Sequence, residues 1–185
     1  MTAMSGAPWS VSLDYSHDAA FALAIRDALG IAGPHGLPPV APPPELVVDP
    51  ATSADEAGAA WQRWWDRILP PTGRGETGSP VLPDAPLDRV VTENFGALHA
   101  WSAARKREVA RATSPTRAVP RIRDFLREYE QATGVRPAGF RLSVTALPVA
   151  GSVFLPLGGE RIAVSIALLS DRAEYLRRIL AHVGP

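Results

Sequence analysis

Cysteine is absent from the 185 residues. That excludes disulfides, thiolate nucleophiles and any cysteine-ligated zinc or iron–sulfur centre. Lysine is nearly absent too, with one against 18 arginines, while alanine and proline abound. This is the bias of a GC-rich bacterial genome and says little about function. Long apolar runs are missing: the longest strongly apolar stretch, Ile162 to Leu169, falls far short of the roughly 18 to 20 residues that a membrane span needs. Residues 1–9 carry neither the basic stretch nor the apolar run of a signal peptide. The expectation is a soluble, cytoplasmic protein with no membrane contact.

The composition is that of an ordinary globular chain, 46% hydrophobic and 21% charged. Its length suits one domain over residues 1–185. The net charge is zero, but the charges are unevenly placed: residues 1–104 sum to −7, residues 105–127 to +6 and residues 128–185 to +1. The basic segment holds Arg105, Lys106, Arg107, Arg111, Arg117, Arg121, Arg123 and Arg127.

Apolar residues alternate at Trp9, Val11, Leu13 and Tyr15, the period of a half-buried strand. Ser16 follows as an N-cap, and Phe21, Ala24, Ile25, Ala28 and Leu29 recur at helical spacing up to Gly30. Seven prolines in residues 33–50 predict an extended, partly polyproline II segment, with a short edge strand at Glu45 to Val48. A capping-box pattern, Ser53-Ala-Asp-Glu56, opens a second helix whose stripe is Ala57, Trp61, Trp64, Trp65 and Ile68. Residues 70–86 are Pro/Gly-rich and read as a long flexible loop. Further helices are expected over Thr92 to Ala112, with Phe95, Leu98, Ser102 and Val109 inward, and over Pro120 to Thr133. Strands follow at Phe140 to Val149 and Arg161 to Leu168, with Val153 to Leu157 between them and Gly158-Gly159 as a hairpin turn. Ser170 caps a last helix. The irregular order of strands and helices predicts an α+β fold. It comprises one small mixed or antiparallel sheet, the N-terminal strand joining the C-terminal hairpin, packed with about five helices and long Pro-rich loops. A lone N-terminal strand cannot bury its own apolar side, so Val11 and Leu13 should sit buried near Val144 and Val164.

Few motifs carry chemistry. Gly73-Arg-Gly-Glu-Thr-Gly78 matches G-x-G-x-x-G, yet the flanking Pro70, Pro71, Pro80 and Pro83 forbid the strand and helix that a phosphate loop needs. Pro39-Val-Ala-Pro42 matches P-x-x-P but has no basic neighbour between Arg26 and Arg63, so it reads as a rigid spacer. His35, His99 and His182 show no H-x-x-x-H spacing, and His99 reads as a partly buried core histidine. No metal and no cofactor are expected. The three tryptophans at helical spacing read as core rather than as a stacking platform.

Two features remain. Asp14, His17 and Asp18 sit where a strand hands over to a helix, a place where an acid can orient an imidazole as a base. The bland reading leaves Ser16 as the cap and Asp18 as a first-turn acid favoured by the helix dipole. Arg105, Arg107, Arg111, Arg117, Arg121 and Arg123 form a candidate binding set, since guanidinium groups pair bidentately with phosphates and carboxylates. The segment lacks the interleaved aromatics and glycines of a nucleic-acid module. The leading expectation is therefore a non-catalytic interaction or regulatory module that contacts a protein partner or a second copy of itself. The alternatives are a small enzyme using Asp14, His17 and Asp18 on an anionic substrate, and a nucleic-acid or phosphate-ligand binder using residues 105–127.

Overall fold

The computed structural model of the chain describes residues 10–33, 36–49, 54–70, 81–114, 122–135 and 139–183. They form an α+β fold with seven helices and one mixed four-stranded sheet. The strands are β1 (Ser10–Tyr15), β2 (Arg141–Leu147), β3 (Phe154–Gly158) and β4 (Arg161–Ser165). The helices are α1 (His17–Ala28), α2 (Ala54–Ile68), α3 (Leu87–Glu93), α4 (Phe95–Ala112), α5 (Ile122–Thr133), α6 (Ile166–Ser170) and α7 (Arg172–Val183).

The sheet order is β1-β2-β4-β3. The N-terminal strand does join the C-terminal strands, and it pairs with β2 in parallel, placing Val11 opposite Leu142 and Leu13 opposite Val144. β2 and β4 are also parallel, whereas β3 and β4 form an antiparallel hairpin. Its turn needs glycine: Gly158 and Gly159 have φ of 88° and 57°, the left-handed region that side chains with a Cβ avoid. Strand alternation splits β4 between two cores. Ile162 and Val164 join Leu142, Val144, Leu168, Tyr175 and Ile179 in one; Ala163 joins α1, α2 and α3 in the other. Helix α4 serves both, with Leu98 in one cluster and Val109 in the other.

Helix α2 obeys its stripe. Trp61, Trp64 and Trp65 are all buried, and Trp61 and Trp65 stack with ring centroids 5.2 Å apart. Two of the three buried indoles find acceptors for their N–H groups. Trp61 Nε1 donates to the Ala22 carbonyl and Trp64 Nε1 to the Val81 carbonyl. The Pro39–Pro42 spacer packs along the domain, with the Ala41 N–H on the Pro148 carbonyl and the Ala150 N–H on the Pro39 carbonyl.

Several expectations need correction. Glu45 to Val48 is not a strand. The backbone of Val47 pairs with a side chain, donating to Asn94 Oδ1 and accepting from Asn94 Nδ2, both at 2.8 Å. The same buried asparagine separates α3 from α4, so the helix expected over Thr92 to Ala112 is two helices beginning at Leu87. The last strand stops at Ser165, whose hydroxyl accepts from the Leu168 and Val153 N–H groups and turns the chain into α6. Phe95, expected inward, is 55% exposed. Val11 and Leu13 are only half-buried, because β1 is an edge strand. The G-x-G-x-x-G match lies outside the described residues.

Emptying the tryptophan site should be costly. Trp61→Ala is expected to lose about 3–5 kcal/mol of unfolding free energy, read from urea denaturation. A loss below about 1 kcal/mol would mean that the indole does not fill the core.

Candidate functional site

The candidate site grows from the junction of β1 and α1. Ser16 holds extended backbone angles, and its side chain accepts from the Ala19 N–H, starting α1 one residue later at His17. This sets Tyr15 at the end of the strand and His17 on the first turn of the helix. Both reach the same hydroxyl. Tyr15 Oη lies 3.0 Å and His17 Nδ1 2.8 Å from Ser102 Oγ on α4. The hydrogen bonds run in either direction: phenol to serine to imidazole, or imidazole to serine to phenol. Ser102 is 0% exposed. The second ring nitrogen, His17 Nε2, has no hydrogen-bond partner among the described residues.

A file of rings extends from this network to the surface. Tyr15 meets His17 edge-on at 5.4 Å, and His17 stacks on His99 at 6.2 Å with the planes 9° apart. His99 stacks on Phe95 at 5.9 Å, and Phe95 meets buried Phe21 edge-on at 6.2 Å. Tyr15 and Phe21 are buried at the two ends, whereas Phe95 and His99 are exposed. Lys106 stands two turns along α4 from His99 and is also exposed.

The electrostatics favour neutral rings. Burial pushes the Tyr15 phenol up to about 12, so it stays protonated across the physiological range. The His17 pKa falls below its usual 6.5, chiefly through burial, with Lys106 and His99 adding positive potential that the Asp18 and Asp14 carboxylates only partly offset. A half-buried imidazole next to a second imidazole resists protonation.

The carboxylates of the sequence-derived set have backbone partners. Asp14 Oδ1 accepts from the Tyr15 N–H at 2.8 Å, and Asp18 Oδ2 accepts from the Val81 N–H at 3.0 Å. Asp18 thereby pins the chain that enters α3. Among the described residues, no group of three or more His, Asp or Glu stands close enough to hold a metal ion.

The basic set divides as well. Arg105 is largely packed away, its side chain 11% exposed, with Nη2 2.8 Å from Glu108 Oε1 and Nη1 donating to the Ala41 carbonyl at 3.4 Å. Arg107 and Arg111 are exposed one turn apart on α4. Arg117 and Arg121 lie outside the described residues, as does the side chain of Arg123 on α5. Sequence reasoning missed Tyr15, Ser102 and His99 as the partners of His17. Periodicity did mark Ser102 as inward, but nothing local ties it to a histidine 85 positions away.

No protein-family model, curated protein or solved structure matches this chain. Among the described residues no helix is long and apolar enough to cross a membrane.

Ser102→Ala should cost about 1–3 kcal/mol, because it strands a buried phenol without its partner. The loss should shrink when Tyr15→Phe removes that phenol, giving a non-additive double-mutant cycle in urea unfolding; strict additivity would contradict the network. The pH dependence has a definite sign. The unfolded chain holds the His17 proton more tightly than the folded chain, so the contribution of His17 is fully present above about 6.5 and is lost as pH falls through the lowered folded value. Stability measured from pH 8 to pH 5 should therefore drop more steeply for the unmodified protein than for His17→Gln.

Proposed function

We propose that the protein is a non-catalytic interaction module that associates with a second copy of itself through the exposed side of α4. The observation that carries this reading is Phe95, a large apolar side chain 55% exposed and held flat against His99. Val47 is also 77% exposed, and its backbone is bonded to the side chain of Asn94, the residue before Phe95. An exposed aromatic anchor ringed by polar groups is the pattern of a contact surface. The same helix presents Lys106, Arg107 and Arg111 to solvent, and residues 1–104 carry the complementary net charge of −7, with Asp55, Asp66 and Asp88 exposed. The burial of Ser102 speaks against its use as a nucleophile, because a substrate cannot reach a hydroxyl with no accessible surface.

One observation favours a second reading. A neutral His17 held through Nδ1, with Nε2 unpartnered and Asp14 and Asp18 nearby in charge, has the makings of a general base. In that reading Arg107 and Arg111 draw in an anionic substrate. Binding of nucleic acid through the basic segment rests on fewer groups, since Arg105 is committed to Glu108 and Ala41.

Sedimentation velocity separates these. Self-association should weaken between about 0.05 and 0.5 M salt, because exposed charge pairs are screened. Arg107→Glu with Arg111→Glu should raise the dissociation constant at least ~10-fold, about 1.4 kcal/mol, and Phe95→Ser should do the same at either salt concentration. A protein that stays monomeric in every condition overturns the self-association reading. Retardation of a generic DNA or RNA probe that is lost on the same double reversal would transfer the surface to nucleic acid.

A further inference from the structure

A cavity of about 200 Å³ lies between β1, the end of α4 and the α6–α7 pair, and none of its described lining residues belongs to the ring file. Val11, Leu13, Leu169, Leu176 and Ile179 line it with apolar surface, and Arg172 and Tyr175 also face it. Its position over the edge strand accounts for the half-burial of Val11 and Leu13.

Arg172 supplies the charge that faces this cavity. Its Nε is buried with no hydrogen-bond partner, and the guanidinium carbon sits 5.3 Å from the centroid of the Tyr175 ring. The acids of its own turn are engaged: Glu174 pairs with Arg177 and Arg178, and Asp171 Oδ1 accepts from the Glu174 N–H. Arg172 is also the first residue of α7, where the helix dipole disfavours a cation. The residue as a whole is half-buried and has no acid partner among the described residues, so a carboxylate entering the cavity meets a guanidinium that is still available for a charge-assisted pair. Burial raises the Tyr175 phenol to about 12, so the ring beneath stays neutral and does not itself balance the charge.

We propose that this cavity binds a small monocarboxylic acid with an apolar body, its carboxylate on Arg172 and its body against Val11, Leu13 and Ile179. The charge argues for one negative charge, since Arg172 is the only basic residue among the described residues that line the cavity and a phosphate dianion would remain half-neutralised by it. The volume argues for size: an apolar cavity of roughly 150 Å³ accepts benzene, and the remainder here suits a carboxylate. Guanidinium and carboxylate match as a two-pronged pair. The proposal is independent of the docking surface on α4.

The test uses the full chain with three probes: benzoate, benzyl alcohol of nearly the same shape without charge, and inorganic phosphate. Isothermal titration should show benzoate binding at least tenfold tighter than benzyl alcohol, with phosphate unable to displace it. Arg172→Met should lower benzoate affinity to that of the alcohol and leave the alcohol unchanged. Leu13→Trp should fill the space and abolish binding of both organic probes. Should Leu13→Trp fail to fold, nuclear Overhauser contacts from benzoate to the Leu13 and Ile179 methyl groups of the unmodified protein decide the same point. No benzoate binding at millimolar concentration, equal affinity for acid and alcohol, displacement by phosphate, or methyl contacts elsewhere would each overturn the proposal.

Discussion

Helix α1 has no solvent face along most of its length: every residue from Ala19 to Arg26 is buried. A helix apolar all round must be covered on all sides, and the rest of the fold can be understood as that cover. Ala20 faces the core shared with β2, β4 and α7, while Phe21, Leu23 and Ile25 face the tryptophans of α2 and the side chains of α3 and α4. The Trp61 indole bonds the Ala22 carbonyl, so even the backbone of α1 is drawn into the packing. Ser16, Tyr15 and His17 are fixed because they sit at the entrance to this helix, and the ring file owes its geometry to the resulting α1–α4 contact.

The far end of α1 settles the Pro-rich segment by a different means. Prolines withhold N–H donors, so residues 37–40 cannot join the sheet as an ordinary strand. Arg26 and Asp27 supply the missing bonds. Arg26 is 3% exposed and donates to the Leu37 and Pro38 carbonyls and to Asp27, while Asp27 Oδ2 accepts from the Val40 N–H. A buried ion pair is tolerable when its hydrogen-bonding capacity is met in this way. Gly33 closes the arrangement, since a Cβ there would come within 2.8 Å of Arg26 Cδ.

Local pattern carried much of this. Alternation at residues 9–15 and 3.6-residue spacing in α1 and α2 are properties of consecutive residues, so the elements and the tryptophan core were legible. Where pattern failed, a distant group had replaced a local rule. Asn94 looks like any helix-interior asparagine until Val47 arrives to share its amide. Phe95 fits an apolar stripe and yet stays largely outside, its ring meeting Phe21 and His99 at the margin of the core. Asp14, His17 and Asp18 drew notice as a cluster in sequence. In space the imidazole turned to Ser102, and Asp18 turned to Val81. Charge counting flagged residues 105–127 as one patch, but it could not foresee that Arg105 would be spent on Glu108 and a carbonyl.

The pairing of β1 with β2 joins positions about 130 residues apart. On a ribosome adding about 5–20 residues per second, the first strand and α1 emerge on the order of ten seconds before the strand that pairs with β1. During that interval a helix that is buried along most of its length in the finished fold has no sheet to lie on, and the partners already made are α2, α3 and α4. The contacts of α1 with α2, α3 and α4 are available before β2 exists, whereas β1 has no strand to pair with until it does. Such an unpaired edge is also the surface most exposed to mispairing between nascent chains. The architecture thus places the greatest burden on the order of synthesis rather than on the strength of the finished contacts.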